Sequence, residues 1–246
     1  MRIAAMHKCS FVDYPAHLAA VVFTPGCNLR CHYCHNPSLL ADPAAGQMLI
    51  EPAAVLDFLA LRRGLLDGLV ITGGEPTLQK GLGEFCAAVH ELGLLVKLDT
   101  NGTRPAVLAE LIARRRVDFV AMDVKAPLGL YDEVCGCTVD TEAIGESIRL
   151  LLAGQVEYEF RTTFAPPLTA GDMVALAAQV RGARRYVIQQ YRPPAGVSAA
   201  PPSPAAAREA ARLAAPFVGR CELRGLMDQA QLAPDEGVGA EMRAVG

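Results

Sequence analysis

The sequence predicts an α/β protein of (β/α)6 type, a parallel sheet with helices outside and a length ordinary for an α/β barrel, and three observations predict it. Apolar segments of strand length alternate six times with amphipathic segments of helical period, the order that gives a parallel sheet with helices outside. Each distinctive motif directly follows one of the apolar segments, and in parallel α/β folds ligands bind at the C-terminal ends of the strands. With 246 residues, 52% hydrophobic and 20% charged, the chain is long enough for one such barrel and its core.

Residues 18–23 are apolar, rich in Ala and Val and bounded by Pro15 and Pro25, which reads as a strand buried on both faces. It delivers a loop carrying Cys27, Cys31 and Cys34. Glu51-Pro52 opens the first helix, since Pro is tolerated in a first turn, with Val55, Leu56, Phe58 and Leu59 on its apolar side and Gly64 at its close. Residues 68–72 form the second strand and run into Gly73-Gly74-Glu75-Pro76. Leu78, Leu82, Phe85, Cys86, Val89 and Leu92 then recur at helical spacing, with Gly93 as the C-terminal cap. The third strand is 94–99, the third helix 105–114 and the fourth strand 118–124.

A fourth helix starts near Asp140, an N-cap residue type, turns Ile144, Ile148, Leu151 and Leu152 inward and stops at Gly154. The fifth strand, 156–163, leads to Thr169-Ala170-Gly171-Asp172, which has capping-box form and starts a fifth helix through Val180. The sixth strand is 185–191. Residues 1–192 therefore form the core domain. Residues 192–204 hold five prolines and little periodicity, as an exposed linker does. Ser203-Pro204 then starts an Ala-rich helix to about Ala215, and a Gly-rich, acidic tail runs from Leu232. Residues 193–246 are expected to pack, as linker, helix and tail, on the same domain.

Charge and composition exclude several classes of function. A net charge of −3 and a pI near 6.0 give no basic footprint for nucleic acid, so no nucleic-acid partner is expected. No apolar run approaches the ~18 to 20 residues of a membrane span, and the first ten residues lack the apolar stretch of a signal peptide. The expected location is the cytoplasm. Of eight cysteines, three are clustered, which suits a reducing compartment better than a disulfide framework; Cys9, Cys86, Cys135, Cys137 and Cys221 are scattered.

Cys27, Cys31 and Cys34 stand at C-x3-C-x2-C spacing, and three thiolates on one short loop can hold one metal centre. An iron–sulfur cube needs a ligand for each of its four irons, normally Cys. Three cysteines leave one iron open, as a catalytic metal keeps a free position. A zinc site completed by His32 or His35 is the other reading, but zinc motifs usually pair two C-x2-C clips and no second clip is present. Cys135-Gly136-Cys137 offers two further cysteines, too few for a second cluster.

The later strand ends carry charge. Asp99 and Asp123 follow adjacent strands, where two close carboxylates need a cation or raised pKa values, and Lys125 supplies one positive charge; a plain salt bridge at the barrel mouth is the alternative. Arg161 sits in an otherwise strand-like segment and must find a partner in a dry interior. A ligand carboxylate is a candidate; Glu159 is not. Gln189, Gln190 and Arg192 end the sixth strand. Gly73-Gly74 lets backbone approach a ligand closely, because no Cβ stands in the way.

The cysteine loop after its apolar strand resembles the signature of the radical S-adenosylmethionine (SAM) enzymes. Ser10-Phe11-Val12-Asp13-Tyr14-Pro15 ahead of the strand and Cys34-His35-Asn36 behind it are similar to activating enzymes of glycyl-radical proteins, most closely those of anaerobic ribonucleoside-triphosphate reductase. The resemblance covers residues 9–192. It implies a partial (β/α)6 radical SAM barrel, open and TIM-like, with a [4Fe–4S] cluster on Cys27, Cys31 and Cys34 and SAM completing the fourth iron. It implies that the Gly73-Gly74-Glu75 segment cradles the amino group of the SAM methionine and that Tyr33 meets the adenine beside Cys34 and His35. Asp99 and Asp123 would help hold a monovalent cation, and Lys125, next to Val124, would meet the SAM carboxylate. Arg161, Gln190 and Arg192 complete the implied cofactor-binding set.

The implied reaction begins with one electron passed from the reduced cluster to the sulfonium. The C5′–S bond breaks, and the 5′-deoxyadenosyl radical takes the α-hydrogen of a glycine on a partner enzyme. The implied partner is the anaerobic reductase, with a flavodoxin- or ferredoxin-like protein as electron donor. Activation of another glycyl-radical enzyme of the pyruvate formate-lyase type, small-molecule radical chemistry, or a non-catalytic iron–sulfur electron-transfer role are the alternatives. The chain departs from the pattern at Ala16, where many relatives have Gly, and it lacks the ferredoxin-like insert of some activating enzymes.

Overall fold

The computed structural model describes residues 1–40, 48–193 and 200–226; the tail expected from Leu232 lies outside them, as does the middle of the Pro-rich segment. The elements run β1 (Ala5–Tyr14), β2 (His17–Thr24), α1 (Pro52–Ala60), β3 (Gly68–Gly73), α2 (Leu82–Glu91), β4 (Leu95–Thr100), α3 (Pro105–Ala113), β5 (Phe119–Asp123), α4 (Tyr131–Cys135), α5 (Thr141–Leu152), β6 (Glu157–Phe164), α6 (Ala170–Gln179), β7 (Tyr186–Gln190), α7 (Pro204–Ala214) and β8 (Cys221–Arg224). Among the described residues one sheet holds all eight strands in sequence order, and only β1 is antiparallel. The strands β2 to β7 and their helices are the six expected repeats of a partial, open barrel. Among the described residues no helix is long and apolar enough to cross a membrane.

Local chemistry sets the boundaries. Asp140 accepts hydrogen bonds from the N–H groups of Glu142 and Ala143, Thr169 and Asp172 form a reciprocal capping box, and Ser203 accepts from Ala206 N, so three helices start where the sequence places caps. One start differs from expectation. Leu78 belongs to a separate short turn at Pro76–Leu78, and α2 opens only after Gly81, whose φ of 77° breaks the helical path.

The core lies between the outer face of the sheet and the helices, where Val22, Ile71, Leu98, Val120 and Phe160 meet Leu59, Phe85, Leu108, Leu151 and Leu176. Each such fully buried side chain contributes roughly 1.5–3 kcal/mol. The concave face is divided. Tyr14, Ala19, Val21 and Val70, with Phe23, Leu95 and Phe119, plug the β2 to β5 side. On the far side Glu159, fully buried, is held by the Arg224 fork at 2.9 and 2.7 Å and by Arg185 at 3.6 Å, which anchors β8 to β6 across β7.

Two strands and one helix are additional to the expected set. In β1 only Tyr14 is buried, so the strand shows no apolar alternation; β8 has four residues, none fully buried. The five-residue α4 lies in the connection between β5 and α5. The helix expected at residues 204–215 is α7, which packs on α6 and leads into β8, a seventh parallel strand.

Candidate active site

The cysteine loop is tied to the strand ends around the rim. Gly74 N donates to Thr24 O and Glu75 N to Gly26 O, both at 2.8 Å, while Gln79 Nε2 donates to Pro25 O at 2.6 Å. Asn28 bonds Thr103 Oγ1 at 2.9 Å and Asn101 Nδ2 at 3.0 Å, which joins the loop to the end of β4. Across the opening, the Nε2 atoms of His32 and His35 lie 2.6 and 2.9 Å from the carbonyl oxygens of Pro166 and Arg192. Both rings thus act as tethers between the loop and the strand ends beyond β6 and β7.

The glycines of the β3 turn serve that packing first. A Cβ on Gly74 would stand 2.1 Å from Gly26 O, and one on Gly73, where φ is 117°, 2.4 Å from Thr24 N. The close approach is therefore to the chain's own cysteine loop, although both glycines also line the cavity. Glu75 is fully buried, and its carboxylate accepts from Thr77 N and Oγ1, Thr100 Oγ1 and Asn101 N at 2.5 to 3.0 Å. Burial raises its pKa against these bonds, and the side chain clamps the β3 and β4 turns together.

One cavity of about 190 Å³ gathers most of the expected site: Cys27, Cys31, Tyr33, Cys34 and His35 from the loop, Gly73, Gly74 and Glu75 after β3, then Asp99, Asp123, Lys125, Arg161 and Gln189. Three expected residues are placed elsewhere. Val124 is fully buried and does not line the cavity, Gln190 Nε2 donates to Pro202 O at 3.2 Å on the helix side of β7, and the Arg192 guanidinium lies by Gly225. Gln189 occupies the inward position of that strand, paired with Thr163 of the cavity wall.

The electrostatics are those of a compensated charge cluster. Arg161 donates from Nε to Asp123 at 2.8 Å and from Nη1 to Asp99 at 3.3 Å; Lys125 reaches Asp123 at 2.8 Å, and Lys97, unanticipated and almost fully buried, pairs with Asp99. Burial alone would raise both carboxyls, but Arg161, with Lys97 or Lys125, holds Asp99 and Asp123 below the usual range. Burial likewise opposes the charge on Lys125, yet Asp123 beside it keeps the ammonium well above its ordinary pKa. Among the described residues Lys97, Lys125 and Arg161 against Asp99 and Asp123 leave three formal cations to two carboxylates, an excess of one positive charge, although burial lowers the pKa of Lys97 against its pairing with Asp99. The partners of Arg161 are thus protein carboxylates. Lys97 was legible in principle, since it lies two residues before Asp99 and so shares its face of the strand.

The thiols differ among themselves. Burial pushes Cys27 up to about 11 and raises Cys34, whereas a hydrogen bond with the Cys135 thiol holds Cys31 down to about 6 against burial. Tyr33 lines the cavity, and its buried hydroxyl has no hydrogen-bond partner among the described residues.

A family model for the radical SAM superfamily matches residues 21–180. The chain belongs to the radical SAM superfamily. It is 38% identical, over 78% of its length and 80% of the relative's, to a protein of Methanocaldococcus jannaschii provisionally described as a glycyl-radical enzyme activating enzyme. It is 32% identical to the pyruvate formate-lyase-activating enzyme of Clostridium pasteurianum over 50% of this chain and 52% of that one. A radical SAM methyltransferase from Sphaerobacter thermophilus has the same fold, with a TM-score of 0.64 at 18% identity over 88% of this chain and 68% of that one. As a radical SAM enzyme the chain works with a [4Fe–4S] cluster and SAM. Its residues fit that pair: three thiols share one cavity, Tyr33 of its lining carries a hydroxyl with no partner among the described residues, and the surplus positive charge suits a ligand carboxylate.

Proposed function

We propose that this radical SAM enzyme installs a glycyl radical on a partner protein, and that the partner is an anaerobic ribonucleoside-triphosphate reductase. The observation that carries the reading is the cavity itself, which sets Cys27, Cys31 and Cys34 against Lys125, Arg161 and the Gly73-Gly74 backbone at one rim. The likeness to the M. jannaschii relative over most of both chains supports an activating role. The flanks Ser10 to Pro15 and Cys34 to Asn36 favour the reductase as partner. Activation of a pyruvate formate-lyase-type enzyme is the second reading, favoured by the C. pasteurianum relative.

In this reading Cys27, Cys31 and Cys34 hold the cluster, which together with SAM supplies one-electron cleavage and hydrogen abstraction when bound. The residues of the chain orient and neutralise. Lys125 and Arg161, anchored by Asp123 and Asp99, receive the methionine carboxylate on their unmatched positive charge. Gly73 and Gly74 present backbone to the amino group, Gln189 takes the polar contact at the end of β7, and Tyr33 faces the ligand from the loop. A monovalent cation beside SAM would share Asp99 and Asp123 with Arg161, Lys97 and Lys125. A flavodoxin- or ferredoxin-like protein donates the electron, and the reducing cytoplasm is the location that suits the open cluster.

The test is anaerobic. The iron-loaded protein with SAM and reductant should release 5′-deoxyadenosine, and with the reductase it should generate a glycyl radical signal in electron paramagnetic resonance. Release of 5′-deoxyadenosine without a radical on the reductase, but with one on a pyruvate formate-lyase, would shift the assignment to the second reading. No cleavage under any reductant would leave only an electron-transfer role.

A further inference from the structure

Cys135, a core residue whose thiol reaches Cys31, and Cys137 sit against the cysteine loop. The contact is made largely by backbone. Arg30 N donates to Cys135 O at 2.8 Å, and on the other side of the same residue Arg30 O stands 2.7 Å from where a Cβ on Gly136 would be. Gly136 has φ 64°, so both its conformation and its neighbour call for glycine. The Cys137 thiol lies 3.6 Å from Asn28 O, one residue beyond Cys27. At the other end of this segment Tyr131 accepts at its hydroxyl from Lys125 N at 3.1 Å. Cys135 and Tyr131 are both fully buried.

We propose that α4 and its closing turn, Cys135-Gly136-Cys137, form a positioning platform that grips the Arg30 peptide and so fixes Cys31 relative to Lys125. The inference rests on Cys31 being a cluster ligand. The two further cysteines are then not metal ligands: Cys135 supplies a carbonyl to Arg30 and a thiol hydrogen-bonded to Cys31, Cys137 supplies a weak donor, and Gly136 supplies the room. Because Tyr131 holds the strand end that carries Lys125, one short segment sets the spacing between the cluster side and the carboxylate side of the cavity. Residues that orient a metal ligand from behind typically cost ~10- to 100-fold in metal affinity when lost.

The test compares Gly136→Ala with Gly93→Ala. Gly93 also has a positive φ, 77°, but a Cβ there meets nothing within 4 Å, so it carries the same backbone strain without the contact. Both variants and the wild type are loaded with iron anaerobically. Iron per chain, the rate of loss of cluster absorbance to a chelator, and the spectrum of the reduced cluster with and without SAM are then measured. Gly136→Ala should lose its cluster ~10-fold faster or more and show an altered response to SAM, while Gly93→Ala matches the wild type. Cys137→Ala, which strains no backbone, should keep its iron but lose it faster, and Cys137→Ser should restore the rate. Wild-type iron, rate and spectrum in Gly136→Ala would overturn the platform. So would complete iron loss in Cys135→Ala or Cys137→Ala equal to that of Cys31→Ala, which would make the turn a ligand. A wild-type chain that takes up no iron would overturn the cluster assignment together with the platform.

Discussion

Lys125 is the residue whose role the site makes most testable. Its ammonium is tethered to Asp123 and belongs to a cluster with one positive charge in excess. Lys125→Ala should keep the iron content and weaken SAM binding by about 1.5 to 3 kcal/mol, the range for a hydrogen bond to a charged group, or about ten- to a hundredfold. Calorimetric titration into iron-replete protein checks it, and unchanged affinity would return Lys125 to a salt-bridging role. Tyr33→Phe removes a buried hydroxyl that has no partner among the described residues. It should therefore stabilise the unliganded protein by about 1 kcal/mol, seen as a rise of roughly 2–4 °C in Tm. Weaker SAM binding in the same variant would show that a ligand uses the hydroxyl; a lower Tm would contradict its isolation. The cysteines were legible because ligation from one loop is a matter of local spacing. Lys97 was missed because a Lys between apolar neighbours reads as solvent-facing until its strand is known to curve around a charged interior. The choice among Gln189, Gln190 and Arg192 was open for a related reason: only the pairing of Gln189 with Thr163 fixes which face points inward.

At the scale of elements, the parallel strands announce themselves because both of their faces are covered, whereas β1 and β8 do not. These two edges are mostly exposed or turned toward the charged interior, so neither carries the alternation that reveals a strand. The hairpin joining β1 to β2 preserves a trace of strain. Tyr14 pairs with His17, leaving Pro15 and Ala16 as the two-residue turn, and Ala16 has φ 62°. That is the second central position of a turn that favours glycine after proline. Ala16→Gly should therefore relieve the left-handed strain, about 1 kcal/mol, less what glycine costs in the unfolded chain. The net expectation is a small rise in the urea midpoint with unchanged slope. A lower midpoint would mean that the side chain contributes packing that outweighs its conformation. The three capped helices were legible to the residue because a cap is a local hydrogen bond, while α4, with five residues and no cap bond, offers no such mark.

For the molecule as a whole, the core lies between sheet and helices and owes nothing to a metal, so cluster removal should leave the far-ultraviolet circular dichroism nearly intact. A stripped protein that is largely unfolded would make the cluster structural. What then limits stability on acidification is the charge cluster inside the barrel. Asp99 and Asp123 have pKa values depressed in the folded state by Arg161, Lys97 and Lys125. In the unfolded chain an Asp titrates near ~3.9. Between that value and the lower folded one, the unfolded state binds more protons, so the contribution of these carboxylates is fully present above about pH 4 to 5 and is lost as pH falls through the folded values. Glu75, raised by burial, contributes with the opposite sign, so a single titration would mix the two. The difference between wild type and Asp123→Asn separates them. Urea unfolding of both, followed from pH 7 downward, should show the variant less stable near neutrality, where Arg161 and Lys125 have lost a charged partner, and the two curves converging in acid as the wild-type carboxylate protonates. Parallel curves across that range would mean that Asp123 titrates alike in the folded and unfolded states, and that its ion pairs with Arg161 and Lys125 add no stability.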